Sequence, residues 1–254
     1  MSKKSNMVLK STNFRKHVKM WLGFLTLINI LTIGLLTAMV VYPLFFKANK
    51  PTAKEIYSNS IYSIVEVKAT SEDVGESFGT AEFIDNDGRL VTNAHVVTYT
   101  SLNIVNPFEK FYIRFSTDEE YIEVSLIKFN TDLDIAILQM NPSIHKFSPM
   151  KTADSNKIST GDKVYAIGNS ANYGLSMSEG IIGSPLINIK YNEINRSVIQ
   201  ANINITEGNS GGALVDDNGC LIGITTFRTK DHSGNVIYGI SYCIPINAVL
   251  EYIK

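Results

Sequence analysis

Cysteine is scarce in this sequence, with only Cys220 and Cys243 among 254 residues. Two cysteines are too few for the disulfide framework on which many small secreted domains depend. Neither cysteine lies in a metal-ligand spacing, so we expect no metal site and no cofactor. Whether the two thiols are free and buried or form one disulfide stays open, because geometry decides that point.

An excess of positive charge is lacking from the chain, whose formal net charge is −1. Residues 1–20 contain no acidic residue and hold six of the 23 basic ones, Lys3, Lys4, Lys10, Arg15, Lys16 and Lys19. The remainder is therefore mildly acidic, with 17 basic against 24 acidic residues. Such a body lacks the basic footprint of a nucleic-acid-binding protein, so we expect no nucleic-acid partner.

Charged residues are also absent from Trp21 to Phe46. As a helix this run is about 39 Å long, and roughly 20 apolar residues are enough to cross a bilayer. More Lys and Arg residues precede the run than follow it, which predicts a cytoplasmic N-terminus. We therefore predict a basic cytoplasmic arm over 1–20, a transmembrane helix over 21–46 that contacts the lipid bilayer, and a linker over 47–58.

A cleaved signal peptide is the alternative interpretation of this apolar run. Signal peptides usually have an apolar stretch of about 7–15 residues followed by a small-residue cleavage site. The run here is longer, and no clear A-x-A site follows Phe46. The pattern favours an uncleaved signal-anchor in the cell membrane, with residues 59–254 outside the cytoplasm.

Helical periodicity nearly vanishes after residue 58. Short runs rich in Ile, Val, Phe, Tyr and Thr alternate with Gly, Asn, Asp and Ser, a pattern typical of an all-β sandwich or barrel. Asn141 to Gly161 contains two prolines and is the least strand-like stretch, so it divides the β region into halves of about 59–140 and 160–245. A short C-terminal helix is expected from Ile246 to Lys254.

A candidate nucleophile lies in the run Glu207-Gly208-Asn209-Ser210-Gly211-Gly212. A nucleophilic serine must expose its hydroxyl on a tight turn, beside backbone N–H groups that stabilise an oxyanion. Glycines permit that sharp bend and leave room for a substrate. A glycine-rich β-turn without chemistry explains the same residues equally well when the run is taken alone.

The chain has only four histidines, so the general base can be sought by elimination. His17 lies in the basic arm, His145 in the proline-containing linker and His232 in a polar loop. His95 instead follows the strand-like run Leu90–Ala94 and precedes two valines. A strand end in an apolar setting holds an imidazole rigidly, as a general base requires.

A carboxylate that orients the imidazole is expected nearby. Two candidates precede the apolar run Ile135–Leu138, namely Asp132 and Asp134. Asp134 directly abuts that run and is costly to bury unless it is paired, which favours it. Asp132 has the features of a solvated turn residue.

The order His…Asp…Ser resembles that of the chymotrypsin-like serine proteases, and the sequence around each residue resembles the HtrA branch of that group. Five stretches over about residues 59–250 carry this resemblance, namely Thr92–Val97 (TNAHVV), Asp134–Leu138 (DIAIL), Gly168-Asn169 with Gly180–Ile182, Gly208–Gly212 (GNSGG) and Gly239–Pro245 (GISYCIP). The resemblance implies an all-β fold of two six-stranded antiparallel β-barrels, with the catalytic triad His95, Asp134 and Ser210 in the cleft between them. It also implies a serine endopeptidase that acts on proteins or peptides.

The resemblance further implies an oxyanion hole formed by the backbone N–H groups of Gly208 and Ser210, with Asn209 between them. Trypsin-like enzymes carry an aspartate at the position of Asn209, which pairs with a new N-terminus, so activation by N-terminal clipping is not expected. The HtrA branch usually has a PDZ domain after the protease. The sequence ends at Lys254, so we expect neither that domain nor regulation through it, and the oligomeric state is left open.

The primary substrate pocket is predicted around five residues, Asn204, Ile205, Thr226, Phe227 and Gly239. None of these is acidic, which does not support a preference for Lys or Arg, and Ile205 predicts a small or medium apolar residue before the scissile bond. An inactive protein with the same fold is the main alternative function. An α/β-hydrolase is disfavoured, because that fold orders its triad Ser…Asp…His and needs many helices.

Overall fold

A computed structural model describes residues 2–46, 50–115, 119–191, 194–230 and 236–254. The chain divides between residues 49 and 50 into two compact units.

The first unit is helix α1, Ser2–Phe46. Its residues Phe14–Val41 have a mean hydropathy of 2.3 and are long and apolar enough to cross a membrane. The side chains of this stretch are exposed, and the hydroxyls of Thr26, Thr32 and Thr37 each donate to a carbonyl of the preceding turn. Polar groups bonded within their own helix suit a segment in hydrocarbon, where water cannot serve them. The helix is therefore a candidate membrane anchor.

The second unit is mostly β and confirms the predicted pair of barrels. Its first half contains eight strands: β1 Ile64–Ser71, β2 Gly75–Phe83, β3 Arg89–Thr92, β4 Thr98–Ser101, β5 Ile104–Pro107, β6 Lys110–Arg114, β7 Ile122–Asn130 and β8 Ile135–Gln139. Barrel one closes in the order β1-β2-β3-β8-β7-β6, while β4 and β5 form a separate hairpin.

The second half contains six strands: β9 Lys163–Asn169, β10 Leu175–Tyr191, β11 Ile194–Asn202, β12 Ala213–Asp216, β13 Leu221–Lys230 and β14 Val236–Pro245. They close barrel two in the order β10-β11-β14-β13-β12-β9. The expected C-terminal helix follows as α4, Ile246–Ile253. Cys220 and Cys243 are both free thiols, which answers the question that the sequence left open.

The segment 47–58, predicted as a linker, is partly helical. Residues 47–49 lie outside the described part of the chain, but helix α2 spans Ala53–Ser60. Thr52 and Glu55 form a capping box at its first turn, and Ile56 is only 1% exposed. The helix is eight residues long and mostly polar, so it lacks the extended apolar periodicity that a sequence pattern needs.

Strand alternation positions the residues between the barrels. Ala81 and Phe83 of β2 point into the core of barrel one. Their neighbours Thr80 and Glu82 therefore face the opposite side, where a second apolar cluster joins residues of both barrels. Thr80 and Glu82 are both fully buried there. The Thr80 hydroxyl at this interface donates to the carbonyl of Gly208, which belongs to the candidate site.

Candidate active site

His95 lies on a one-turn helix, α3 (Ala94–Val97), directly after β3. Asn93 and Ala94 beside it are buried, while the His95 side chain is 49% exposed. The Asn93 side-chain amide donates to the backbone carbonyl of Asp134 at 3.0 Å. The backbone of His95 is therefore held between buried residues, while its imidazole ring is open to a cleft.

Asp134 lies in the turn between β7 and β8 and is only 5% exposed in its side chain. Its carboxylate is 2.9 and 3.0 Å from His95 Nδ1, and it accepts the His95 backbone N–H at 3.1 Å. The Thr226 hydroxyl donates to the same carboxylate at 2.6 Å. Asp132, the rejected alternative, is exposed.

Opposing effects set the pKa of Asp134. Burial by itself raises the pKa of this carboxyl, but the charge of His95 and the hydrogen bonds from His95 and Thr226 together outweigh burial. The net pKa is below its ordinary value. Asp134 is thus held as a carboxylate, the form that orients a neighbouring imidazole.

Ser210 lies in the loop between β11 and β12, within a tight bend. Gly208 and Gly211 both have a positive φ, 87° and 81°. A Cβ at Gly211 would lie 2.2 Å from the Thr92 hydroxyl and 2.3 Å from the Thr80 carbonyl oxygen of barrel one. The glycines therefore serve close packing of this loop against barrel one as well as the bend itself.

The Ser210 hydroxyl donates to the Thr226 carbonyl oxygen at 3.2 Å. Thr226 thus contacts Ser210 through its backbone and Asp134 through its side chain. Within the described residues, no hydrogen bond joins Ser210 Oγ to the His95 ring. Such contacts are often absent without substrate and form in the substrate complex.

Backbone N–H groups around Ser210 differ in their partners. Those of Asn209, Gly211 and Gly212 donate to the carbonyls of Thr206, Thr225 and Asn209. Those of Gly208 and Ser210 have no acceptor in the part of the chain that the structure describes. Two unengaged N–H groups on one tight loop can together bind an anionic oxygen.

His95, Asp134 and Ser210 all line one cleft of about 530 Å³. Three of the predicted pocket residues, Ile205, Thr226 and Phe227, also line it. The other two, Asn204 and Gly239, lie outside its lining. Asn204 is exposed, and its carbonyl accepts the Ser178 hydroxyl at 3.3 Å.

Several cleft residues were missed by sequence reasoning. Tyr99, Thr100 and Val105 reach the cleft from the β4–β5 hairpin, and Arg196 reaches it from β11. The only local signal for the hairpin was its run of β-formers, and nothing in the sequence singled out Arg196. Both depend on contacts between distant segments.

Of the other histidines, His145 lies in the same unit as His95 but does not line this cleft. His17 lies on α1, and His145 stacks on Phe115 with ring centroids 3.9 Å apart. His232 lies outside the described residues. No group of three or more His, Cys, Asp or Glu side chains suited to a metal ion occurs in the described ranges.

Known proteins resemble this chain over about two thirds or more of its length. The family profile described as Trypsin-like peptidase domain matches residues 79–224. A probable serine protease do-like of Buchnera aphidicola subsp. Acyrthosiphon pisum is 34% identical over 212 residues, covering 81% of this chain and 41% of that protein. The periplasmic pH-dependent serine endoprotease DegQ of Escherichia coli is 35% identical over 177 residues, 68% of this chain and 35% of DegQ.

A solved structure, the HtrA-type protease AlgW with tripeptide, matches with a TM-score of 0.68 at 27% identity. The match covers 80% of this chain and 62% of that one. This chain spans less than half the length of the two curated relatives named above. It belongs to the trypsin-like peptidase family, and the relatives that it resembles are HtrA/Deg serine endoproteases.

Proposed function

We propose that this chain is a serine endopeptidase that uses His95, Asp134 and Ser210 as a catalytic triad. The observation that carries the proposal is the His95–Asp134 pair, in which His95 Nδ1 lies within hydrogen-bond distance of both carboxylate oxygens. This pair lines the same cleft as Ser210. Named serine endoproteases among the relatives support the reaction class. Proteins or peptides are the substrates that such a site hydrolyses.

The proposed reaction is acyl transfer. Rotation of the Ser210 side chain away from the Thr226 carbonyl brings its hydroxyl to His95, which accepts the proton as the oxygen attacks a peptide carbonyl. Asp134 stabilises the imidazolium. The N–H groups of Gly208 and Ser210 stabilise the tetrahedral oxyanion, with Asn209 shaping the turn between them. His95 then protonates the leaving amine, and water releases the acyl-enzyme.

Ile205 supports a small or medium apolar residue before the scissile bond, because its buried side chain lines the cleft beside Ser210. Thr226 and Phe227 line the same cleft. Asn204, in the loop after β11, and Gly239, on β14, do not line the cleft and stay in the proposal only as residues near this wall.

We further propose a single-pass topology for the chain. Residues 1–20 form a cytoplasmic arm, residues 21–46 cross the lipid bilayer, 47–58 connect, and 59–254 act outside the cytoplasm. The apolar helix and its basic start support this arrangement, as does the periplasmic designation of DegQ. A reporter fused after Lys254 that is active only outside the cytoplasm tests the orientation.

The decisive experiment is labelling of the full chain, purified in detergent, with a fluorophosphonate probe. Labelling requires an activated serine, so we expect the parent to label at Ser210 and the Ser210→Ala and His95→Ala variants not to label. Mass spectrometry of cleaved peptides then gives the residue preferred before the scissile bond. A parent that folds but neither labels nor cleaves would establish the alternative, an inactive protein with the peptidase fold.

A further inference from the structure

Arg196 lines the cleft and connects the two barrels beside Asp134. It projects from β11 of barrel two, and its Nη2 donates to the Thr131 carbonyl oxygen in barrel one at 2.8 Å. Its Nη1 lies 3.8 Å from Asp134 Oδ2, and its side chain is only 11% exposed. The guanidinium therefore contacts both the backbone and the carboxylate of a single turn.

That turn has an unfavourable backbone conformation. Asp134 has a φ of 57°, in the left-handed region that few non-glycine residues adopt, although aspartate tolerates it better than most. Such conformations persist when the surroundings fix them. Within barrel one, the Asn130 side chain accepts the Leu133 N–H at 2.9 Å and the Asn93 side chain donates to the Asp134 carbonyl. Arg196 adds a hydrogen bond to this turn from the opposite barrel.

Arginine suits this position because its planar fork can serve two acceptors at once. Nη2 donates a hydrogen bond to the backbone oxygen, while Nη1 attracts the carboxylate as an ion pair at 3.8 Å, so one guanidinium acts on both the turn and the acid. Phe227, which lines the cleft, lies under the guanidinium with its centroid 5.9 Å from Cζ. The ring and the two oxygens together define the position of the guanidinium.

We propose that Arg196 is a positioning residue, which acts through Asp134 and not on the substrate. It holds the Asp134 turn across the barrel interface, so that the carboxylate keeps the His95 ring aligned with Ser210. This role rests on the proposed function. It predicts that loss of Arg196 lowers turnover and leaves substrate affinity nearly unchanged.

The test compares Arg196→Met and Arg196→Lys with the parent, using the full chain in detergent and a peptide that the parent cleaves. Misplacement of a reacting group by a fraction of an ångström to 1 Å costs up to about 10²-fold in rate. We expect Arg196→Met to lower kcat about 10-fold or more while KM changes less than about 2-fold. Arg196→Lys keeps one charged donor and should recover part of kcat.

A double substitution makes the test specific. In an Asp134→Asn background there is no carboxylate left to position, so Arg196→Met should have little further effect on kcat. Arg89→Met is the matched control, because Arg89 also pairs with an aspartate, Asp85, but lies at a turn outside the cleft. It should keep the parent kcat.

Two outcomes overturn the proposal while leaving the triad intact. One is an Arg196→Met variant with the parent kcat, and the other is a raised KM at unchanged kcat, which would mean that Arg196 binds substrate. If Arg196→Met does not fold, Arg196→Lys becomes the test. An Arg196→Lys variant that keeps the full kcat/KM of the parent, instead of the partly lowered kcat that we expect, then overturns the proposal. A parent that neither labels nor cleaves overturns the proposed function, and the role of Arg196 with it.

Discussion

Thr80 in barrel one donates a 2.7 Å hydrogen bond to the carbonyl oxygen of Gly208 in barrel two. The same hydroxyl accepts the Asn169 N–H of barrel two at 2.9 Å. Thr80 is fully buried, so neither bond is replaced by water when it is lost. The Gly208 carbonyl belongs to the peptide flanked by the two proposed oxyanion donors, and Thr80 thereby fixes their orientation.

Thr80→Val removes this hydroxyl at nearly constant volume. We expect kcat to fall by up to about 10²-fold, the size of effect seen when one oxyanion donor is lost. The buried carbonyl and N–H left unpaired should also lower the free energy of unfolding by about 1–3 kcal/mol. Peptide hydrolysis and thermal unfolding of the full chain measure the two effects.

Thr80→Ser is the matched control, since it keeps the hydroxyl and loses only a methyl group. It should retain most of the parent kcat. If Thr80→Val also retains the parent kcat, the Thr80–Gly208 bond does not orient the oxyanion donors.

The residue pattern predicted an all-β unit and three candidate catalytic residues because their signals are local, while the pair of six-stranded barrels was implied by the resemblance to HtrA proteases. Strand alternation, glycine-rich turns and short motifs around His95, Asp134 and Ser210 are each contained in a few consecutive residues. It did not predict Thr80–Gly208, which joins residues 128 positions apart. It also missed Arg196–Asp134, since both contacts depend on strand register and on how the barrels pack.

The choice of Asp134 over Asp132 illustrates what local reasoning can reach. A carboxylate beside an apolar strand must be paired to be buried, and this argument selected the acid that contacts His95. The left-handed backbone at Asp134 could not be foreseen, because aspartate adopts several turn conformations and tertiary contacts select among them. The turn is held by side chains from three other segments, at Asn93, Arg196 and Thr226.

Glu82 gives a prediction about pH and stability. It is fully buried between Ile64 and Val91 on the neighbouring strands, and burial raises its pKa well above the ordinary 4.5. Its contribution to stability is therefore complete at low pH and is lost as pH rises from about 4.5 through the raised pKa. Within that window the free energy of unfolding should fall by about 1.4 kcal/mol per pH unit.

Glu82→Gln should abolish this part of the pH dependence and raise stability at neutral pH relative to the parent. Denaturant unfolding of the full chain, followed from pH 5 to 8, measures the difference. Glu76→Gln on the same strand removes an exposed carboxylate and should leave the slope unchanged. A parent and a Glu82→Gln variant with parallel pH curves would contradict a protonated, buried Glu82.

Thr226→Val separates two contacts of one residue. The substitution removes the 2.6 Å bond from the hydroxyl to Asp134 but keeps the backbone carbonyl that accepts from Ser210. Misorientation of Asp134 should lower kcat about 10-fold, and Thr226→Ser should restore it. Parent-like kcat in Thr226→Val would mean that the remaining contacts of Asp134, from His95, Asn93 and Arg196, suffice to orient the acid.

The same substitution should change the acid limit of stability. The pKa of Asp134 lies below its ordinary value, so its stabilising contribution is present above the ordinary pKa and is lost as pH falls through the folded one. Without the Thr226 donor the folded pKa rises, and that loss should begin at a higher pH. Circular dichroism during acid titration of both proteins compares the two midpoints.

Gly208→Ala tests whether close approach, and not only backbone conformation, requires glycine beside Ser210. A Cβ at Gly208 would lie 2.1 Å from the Asn169 carbonyl oxygen, so the loop must shift. Because the shift moves a proposed oxyanion donor, we expect kcat to fall at least about 10²-fold. Gly161→Ala is the matched control, since Gly161 has a similar φ of 93° but open space around its Cβ position. That control should lose about 1–2 kcal/mol of stability because of the left-handed backbone, and it should keep the parent kcat. If Gly208→Ala also keeps the parent kcat, the packing of Gly208 against Asn169 does not hold the oxyanion loop.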